Sequence, residues 1–286
     1  MGKVLNYSNF NFKNQTSKYE GKVRDVYTLK DNTLVMIASD RISAFDFVFQ
    51  EEVLGKGSLL NSMSIFWFKL TKKIIKNHYV DKKPEVDPSL ISRSMIVEKT
   101  KVIPVEAIVR GHIAGSAWKT YQENGSINGV EITHKLNEYD KFSEPIFTPS
   151  TKGNKDENIS ISKMKDLVGE VITNKIIKAS LDLYNFAYRY SKDRGIIIAD
   201  TKFEFGLNHN RELILIDEIF TPDCSRFLKL DSNGNYDLDA FDKQYFRNYL
   251  RDNNWNKNQI KIPLEVKNKL MNKYQVAYDL ITKKYE

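Results

Sequence analysis

The stretch Gly195–Phe227, GIIIADTKFEFGLNHNRELILIDEIFTPDCSRF, concentrates the residue types that can hold a metal ion and a polyphosphate. Read with the two-residue period of a strand, Asp200, Lys202 and Glu204 fall on one face. Ile198, Thr201, Phe203 and Phe205 mostly fill the other face or lead into it. The polar run Leu207–Glu212 carries Asn208, His209 and Asn210 and predicts a turn, so ELILIDEIF folds back as the second strand of a hairpin. A four-residue loop pairs Asn208 with Leu213 and sets Glu204 across from Asp217. Two facing carboxylates with a lysine between them are costly to half-bury. A divalent cation, most naturally Mg²⁺ with phosphate oxygens as its other ligands, removes that cost. The competing reading is a solvated hairpin face on which Lys202 pairs with Glu204 or Asp217. The apolar runs Ile196–Ile198 and Leu213–Ile216 argue against it, because strands covered on both sides leave no place for unpaired surface charge. TPDCSR follows at once and sets Asp223 and Arg226 just past the strand end. The pattern predicts a metal–phosphate site.

Several elements must position that site. YEGKVRDVYTL (19–29) alternates as a strand beginning at Gly21 and Lys22, and TLVMIASD (33–40) is the next strand. Together they suit a lid over nucleotide phosphates, with Lys22 as a point charge and Arg24 as a fork, although ordinary strand-edge charge explains GKVR as well. SDRISAFD then crowds Asp40, Arg41, Ser43 and Asp46 into a loop at a strand end, where a turn or cap would account for one or two of them. A helix from about Ser58 carries Leu59, Met63, Phe66, Leu70 and Ile74 on one stripe. Beyond the Pro-rich KPEVDPSL, IVEKTKVIPVEAIVRG reads as two strand-like runs about Pro104, and a lobe boundary is placed there.

Arg110 lies upstream of Gly115 and Ser116, which open the short helix AWKTYQEN before Gly125. Helix N–H groups, a hydroxyl and a bidentate guanidinium would make a phosphate pocket; a plain Ser116 cap and an Arg110 surface pair are the alternative. His112 reads as structural. The loop FTPSTKGNKDENIS (147–160) mixes Thr148, Ser150, Lys152, Asp156, Glu157 and Asn158, as a substrate-contacting loop would. Ser160 or Ser162 caps one long helix to about Arg194, with Leu167, Val171, Ile177, Leu181, Tyr184 and Tyr188 inward. FDKQYFRNYL and EVKNKLMNKYQVAYDLITKKY complete the chain as helices.

With 286 residues, 41% hydrophobic and 12% aromatic, the chain can bury a full core. Its net charge of +7 is diffuse, with no basic run or tail, and follows from abundant lysine. A nucleic-acid-binding reading therefore finds little support. No apolar run approaches membrane-spanning length, and the single Cys224 excludes an intrachain disulfide and fits a reducing, cytoplasmic setting.

The motifs VIPVEAIVRGHIAGS (102–116) and IADTKFEFG (198–206), with GKVRDVY, SDRISAFD, GKG, FTPSTK, DENIS, DEIFTPDCSR and FDKQYFR around them, resemble the SAICAR synthetase family end to end. The SDRISAFD and FTPSTK…DENIS forms and Arg24 resemble the longer, yeast-type members. The resemblance implies an α+β fold of two lobes. An antiparallel N-terminal sheet lobe (1–100) covers ATP and a larger α+β lobe (101–286) holds the remaining sites, about a kinase- or ATP-grasp-like cleft. It implies ligation of the ribotide CAIR to L-aspartate at the expense of ATP, with Mg²⁺, through an acyl phosphate, by a monomer. By motif position Glu204 and Asp217 bind the metal, with Asp200 close by. Gly21, Lys22, Val23, Arg24, Glu106 and Lys202 bind ATP, and Lys202, Asp200 and Arg226 serve catalysis. Arg110, Ser116 and Arg226 hold the ribotide phosphate, Asp223 its polar groups, and Asp40, Arg41 and Ser43 the carboxylate and aspartate end. A small-molecule kinase is the rival enzyme; the chain lacks HRD and DFG landmarks of protein kinases.

Overall fold

The computed structural model describes residues 4–132, 135–153, 157–230, 236–237, 241 and 243–283. The first half of the chain builds β1 (Gln15–Glu20), β2 (Arg24–Leu29), β3 (Thr33–Ala38), β4 (Arg41–Ala44), β5 (Phe47–Glu52), α1 (Lys56–Thr71), β6 (Tyr79–Val80), β7 (Ser94–Glu98) and β8 (Lys101–His112). It continues with α2 (Ser116–Asn124), β9 (Ser126–Ile127), β10 (Val130–Glu131), β11 (Lys141–Thr151), α3 (Ile161–Val168), α4 (Glu170–Lys192) and β12 (Ile197–Leu207). β13 (Leu213–Ile216), β14 (Ser225–Leu230), β15 (Tyr236–Asp237), α5 (Gln244–Asp252) and α6 (Leu264–Thr282) follow.

Two antiparallel sheets divide near residue 100. The first orders its strands β1-β2-β3-β7-β6; the second runs β11-β8-β12-β14-β15, with β13 also pairing to β12. β4 and β5 form a separate hairpin. The expected single strand over 19–29 is therefore two strands with a tight turn at Gly21–Val23, and IVEKTKVIPVEAIVRG is two strands that part at Lys99–Thr100, with Pro104 inside the second.

One apolar cluster is continuous through both sheets: it joins Met36, Met95 and Val97 to Val105, Phe203 and Phe205. From α1 it takes Met63, Trp67 and Phe68, with Phe66 and Ile74 packed against it. Of the predicted stripe, Leu59 is buried in the neighbouring cluster and only Leu70, 36% exposed, stands out. Full burial of a side chain such as Trp67 or Phe203 is worth roughly 3 kcal/mol each. α5 and α6 pack back against α1 and the β4–β5 hairpin through Phe49, Leu60, Phe246, Leu270 and Tyr274.

The predicted long helix is two. Ser160 caps α3, its hydroxyl accepting from Lys163 N at 3.1 Å. Gly169, at φ +85°, then breaks the run before α4. The break shifts the helical phase, so Leu167 and Val171 stand in solvent. α4 faces the second sheet with Thr173, Ile176, Ser180, Leu183, Tyr184 and Ala187. Small residues on that stripe let the helix come close. The Tyr184 hydroxyl donates to Ile198 O at 2.6 Å.

Candidate active site

β8 and β12 lie side by side in the second sheet, and their register decides which side chains meet. Asp200 pairs with Arg110, Lys202 with Ile108 and Glu204 with Glu106. Residues two apart share a face. Glu106, Ile108, Arg110, Asp200 and Lys202 accordingly line one cleft of about 1000 Å³.

At one end of the cleft Arg110 is 3% exposed and fully directed. Its Nη1 donates to Asp200 Oδ2 at 2.9 Å, Nε to Thr148 Oγ1 at 2.9 Å and Nη2 to Ser116 Oγ at 3.2 Å. Arg226 donates to the same Asp200 oxygen. Gly115, at φ +58°, precedes α2, and a Cβ there would sit 2.1 Å from Arg226 Nη2, so glycine is what lets the guanidinium lie over the helix start. Two arginines, a serine hydroxyl and helix N–H groups converge as a seat for a phosphate. Asp200, expected beside the metal pair, instead orients both arginines here.

Four residues along β12, about 13 Å at 3.3 Å per residue and beyond the residues that line the cleft, lies a cluster of carboxylates. The hairpin register differs by one from the expected: Glu204 pairs with Ile216 and Leu207 with Leu213. Asp217 therefore sits just past β13, at φ +67°. Lys152 pairs with Glu204, and Arg24, reaching over from β2, pairs with both Asp217 and Glu218. Lys202 Nζ donates to Glu106 Oε1 at 2.5 Å. Burial, aided by the Asp217 charge and opposed by Lys152 and Lys202, pushes the Glu204 carboxyl up to about 7. Burial resists ionisation of Asp217 too, but Arg24, Lys152 and Lys202 hold it below the usual carboxylate range. Burial likewise disfavours the Lys202 ammonium, and Glu106 more than restores it, leaving its pKa raised.

Among the described residues no group of three or more His, Cys, Asp or Glu is set to enclose a metal by itself. Glu204 on β12 and Asp217 just past β13 offer hard oxygen donors. Mg²⁺ takes one or two carboxylates and completes its shell with phosphate and water. The donor set fits it.

Other predicted residues are placed differently. Lys22 is exposed and donates to Asp46 Oδ1 at 3.1 Å. Asp40 and Arg41 do not line the cleft. Asp40 is fully buried, pairing with Arg93 and accepting from Leu5 N and Gly57 N, while Arg41 is buried against Asp25. Ser43 is partly buried within β4, and from this loop it is Phe45 and Asp46 that reach the cleft. Asp223 borders the cleft but is held by Lys56 Nζ at 2.8 Å, Lys243 Nζ at 3.0 Å and the Tyr274 hydroxyl at 2.7 Å. Burial opposes its ionisation, yet the two lysines keep it well below the ordinary range. Asp156 lies outside the described residues.

Sequence reasoning missed Lys56 and Lys243, and it missed that α5 lends Gln244, Arg247, Asn248 and Arg251 to the wall of the cleft. The signals were the GKG motif for Lys56 and FDKQYFR for Lys243, Gln244 and Arg247. His112 is structural as expected, buried with Nε2 at 3.0 Å from the Tyr236 hydroxyl. Burial pushes the Cys224 thiol up to about 12, which suits a filler and not a nucleophile.

A family model described as SAICAR synthetase matches residues 17–262. Phosphoribosylaminoimidazole-succinocarboxamide synthases of Pichia angusta and Chromobacterium violaceum are each 42% identical, covering 92% and 91% of this chain and 93% and 96% of theirs. The Saccharomyces cerevisiae relative is 41% identical, with 92% of each chain covered. A solved SAICAR synthase from Saccharomyces cerevisiae, complexed with SAICAR, superposes with a TM-score of 0.86 at 40% identity over 98% of this chain and 99% of its own. A SAICAR synthetase in complex with ADP gives a TM-score of 0.72 at 28% identity over 94% of this chain and 100% of its own.

Proposed function

Because the chain belongs to the SAICAR synthetase family, we propose that it is an ATP-dependent C–N ligase of purine biosynthesis, joining CAIR and L-aspartate to give SAICAR, ADP and phosphate. The observation that carries the reading is that one strand, β12, serves both ends of the proposed site, the phosphate end inside the cleft and a carboxylate end beyond the residues that line it. Asp200 orients the phosphate seat of Arg110, Ser116 and Arg226, and Glu204 stands four residues on, beside Asp217. A ribotide held at the first end directs its carboxylate toward a nucleotide held at the second.

A carboxylate is a poor acyl electrophile. In the proposed course a CAIR carboxylate oxygen attacks the γ-phosphorus of ATP, ADP leaves, and an acyl phosphate forms. The aspartate nitrogen then attacks the acyl carbon, phosphate departs, and the amine proton passes to solvent. Lys202 and Lys22, with the turn Gly21–Arg24 and Glu106, position the nucleotide; Glu204 and Asp217 hold Mg²⁺, which when bound neutralises polyphosphate charge. Asp223, kept ionised by two lysines, accepts from the ribotide. The first sheet and the remainder act as two lobes, 1–100 and 101–286, about the nucleotide. No covalent protein nucleophile is needed, because positioning and charge compensation supply the catalysis.

The test is ADP formation from ATP, Mg²⁺ and CAIR with and without L-aspartate. Turnover that requires aspartate and yields a product heavier by the aspartyl unit supports the ligase. ADP release without aspartate would instead favour a kinase.

A further inference from the structure

The turn Gly21–Val23 carries the exposed Lys22, and what fixes it lies behind it, in the protein interior. Gly21 N donates to Arg24 O at 2.8 Å, and a Cβ on Gly21 would stand 2.8 Å from that same oxygen, so the turn closes only around glycine. Both carbonyls flanking Lys22 are captured. Ser39 N and Oγ each donate to Val23 O at 2.9 Å. Arg41 Nη2 donates to Gly21 O at 3.0 Å. The same guanidinium donates to Asp25 Oδ1 at 3.0 Å and, through Nε, to Ser39 Oγ at 2.9 Å. Asp25 is held in turn by Ser8, whose N and Oγ donate to Oδ2 at 2.6 and 2.8 Å. Arg41 is 1% exposed and Asp25 is fully buried.

A buried ion pair placed only to strengthen the sheet would have no need of a surface turn's carbonyl. Here one planar fork is divided among a carboxylate, a hydroxyl and the carbonyl of the residue before Lys22, which fixes where that lysine's backbone lies. The hairpin that Arg41 begins also reaches Lys22 from the front, since Asp46 at its tip accepts from the ammonium. The β4–β5 hairpin therefore grips the lysine turn twice, by backbone at its root and by side chain at its tip. We propose that Arg41, backed by Asp25 and Ser39, is a positioning residue that sets the Lys22 turn for the nucleotide without touching the nucleotide itself. This rests on the ligase reading, in which that turn lies over the ATP phosphates.

The test compares Arg41→Lys, Lys22→Ala and the double variant by steady-state kinetics for all three substrates, with melting curves alongside. Lysine keeps a positive charge against Asp25 but cannot reach a carboxylate, a hydroxyl and a carbonyl at once. The expected result is a KM for ATP raised roughly ten-fold, unchanged KM values for CAIR and aspartate, and no further loss when Arg41→Lys is added to Lys22→Ala. An unchanged KM for ATP, or effects of the two changes that simply multiply, would overturn the proposal. If Arg41→Lys does not fold, Ser39→Ala takes its place, with the same pattern expected at smaller amplitude and the same outcomes overturning it. Lys22→Ala with normal ATP kinetics would sink the positioning role alone, because aspartate-dependent turnover of the unaltered chain in the same assay reports the ligase separately.

Discussion

Glu204 combines burial, a neighbouring carboxylate and a pKa raised to about 7. A side chain in that position gains from a cation in place of Lys152. Glu204→Gln keeps the shape and removes the charge. It should lower turnover about 10²-fold or more with little change in melting temperature, and wild-type rates at saturating Mg²⁺ would remove the metal assignment. Arg110→Ala tests the other end: Asp200 keeps Arg226, so the fold should survive while the KM for CAIR rises roughly 10- to 100-fold with kcat less affected. An unaltered KM would move the phosphate seat elsewhere. Residue types and spacing were enough to single out Glu204, Asp217, Arg110, Ser116 and Arg226. They misplaced Asp40 and Arg41, because a polar cluster at a strand end reads the same whether it faces a cleft or closes over buried partners.

Among elements, β12 and the helix start at Ser116 were legible, since a long apolar run and a Gly-Ser before a periodic segment are strong local signals. The pairing of β12 with β8, by contrast, joins segments far apart in sequence and left no local signal. The phase of α4 was not. Its sheet-facing stripe contains Thr173, Ser180, Ala187 and Ser191, which a search for large apolar residues passes over. Those small residues and Gly111 make the helix–sheet contact tight: a Cβ on Gly111 would stand 2.0 Å from the Tyr184 hydroxyl. Gly111→Ala must push Tyr184 off Ile198 O and lift α4 from the strand that carries Arg110. It should cost roughly 2–4 kcal/mol in urea unfolding and also weaken CAIR binding. Stability within experimental error of the parent would show that the helix yields without loss.

For the molecule as a whole, two buried histidines are destabilised by acid and outnumber the one carboxyl, Glu204, that acid favours. Burial lowers both His78 and His112 from 6.5 to about 4. Between those values each histidine binds more protons in the unfolded chain than in the folded one, so its contribution is full above pH 6.5, falls as pH drops toward 4 and levels off below it. Glu204, raised from 4.5 to about 7, works the other way, one group against two. Each histidine contributes at most roughly 3 kcal/mol. Melting temperatures should decline over that window, and a flat profile would mean the sites open to water before they titrate. The arrangement of charge has a different consequence. Arg24, Lys152, Lys202, Arg110 and Arg226 already have carboxylate partners within the protein. Substrates then enter by exchange, each anion taking a cation from a resident carboxylate while a metal takes the carboxylate. Few counterions are released in such a swap. The apparent affinity for nucleotide should accordingly change little between roughly 50 and 200 mM salt, although the chain carries a net charge of +7. The site works as an ion exchanger, with these cations already paired before a substrate arrives.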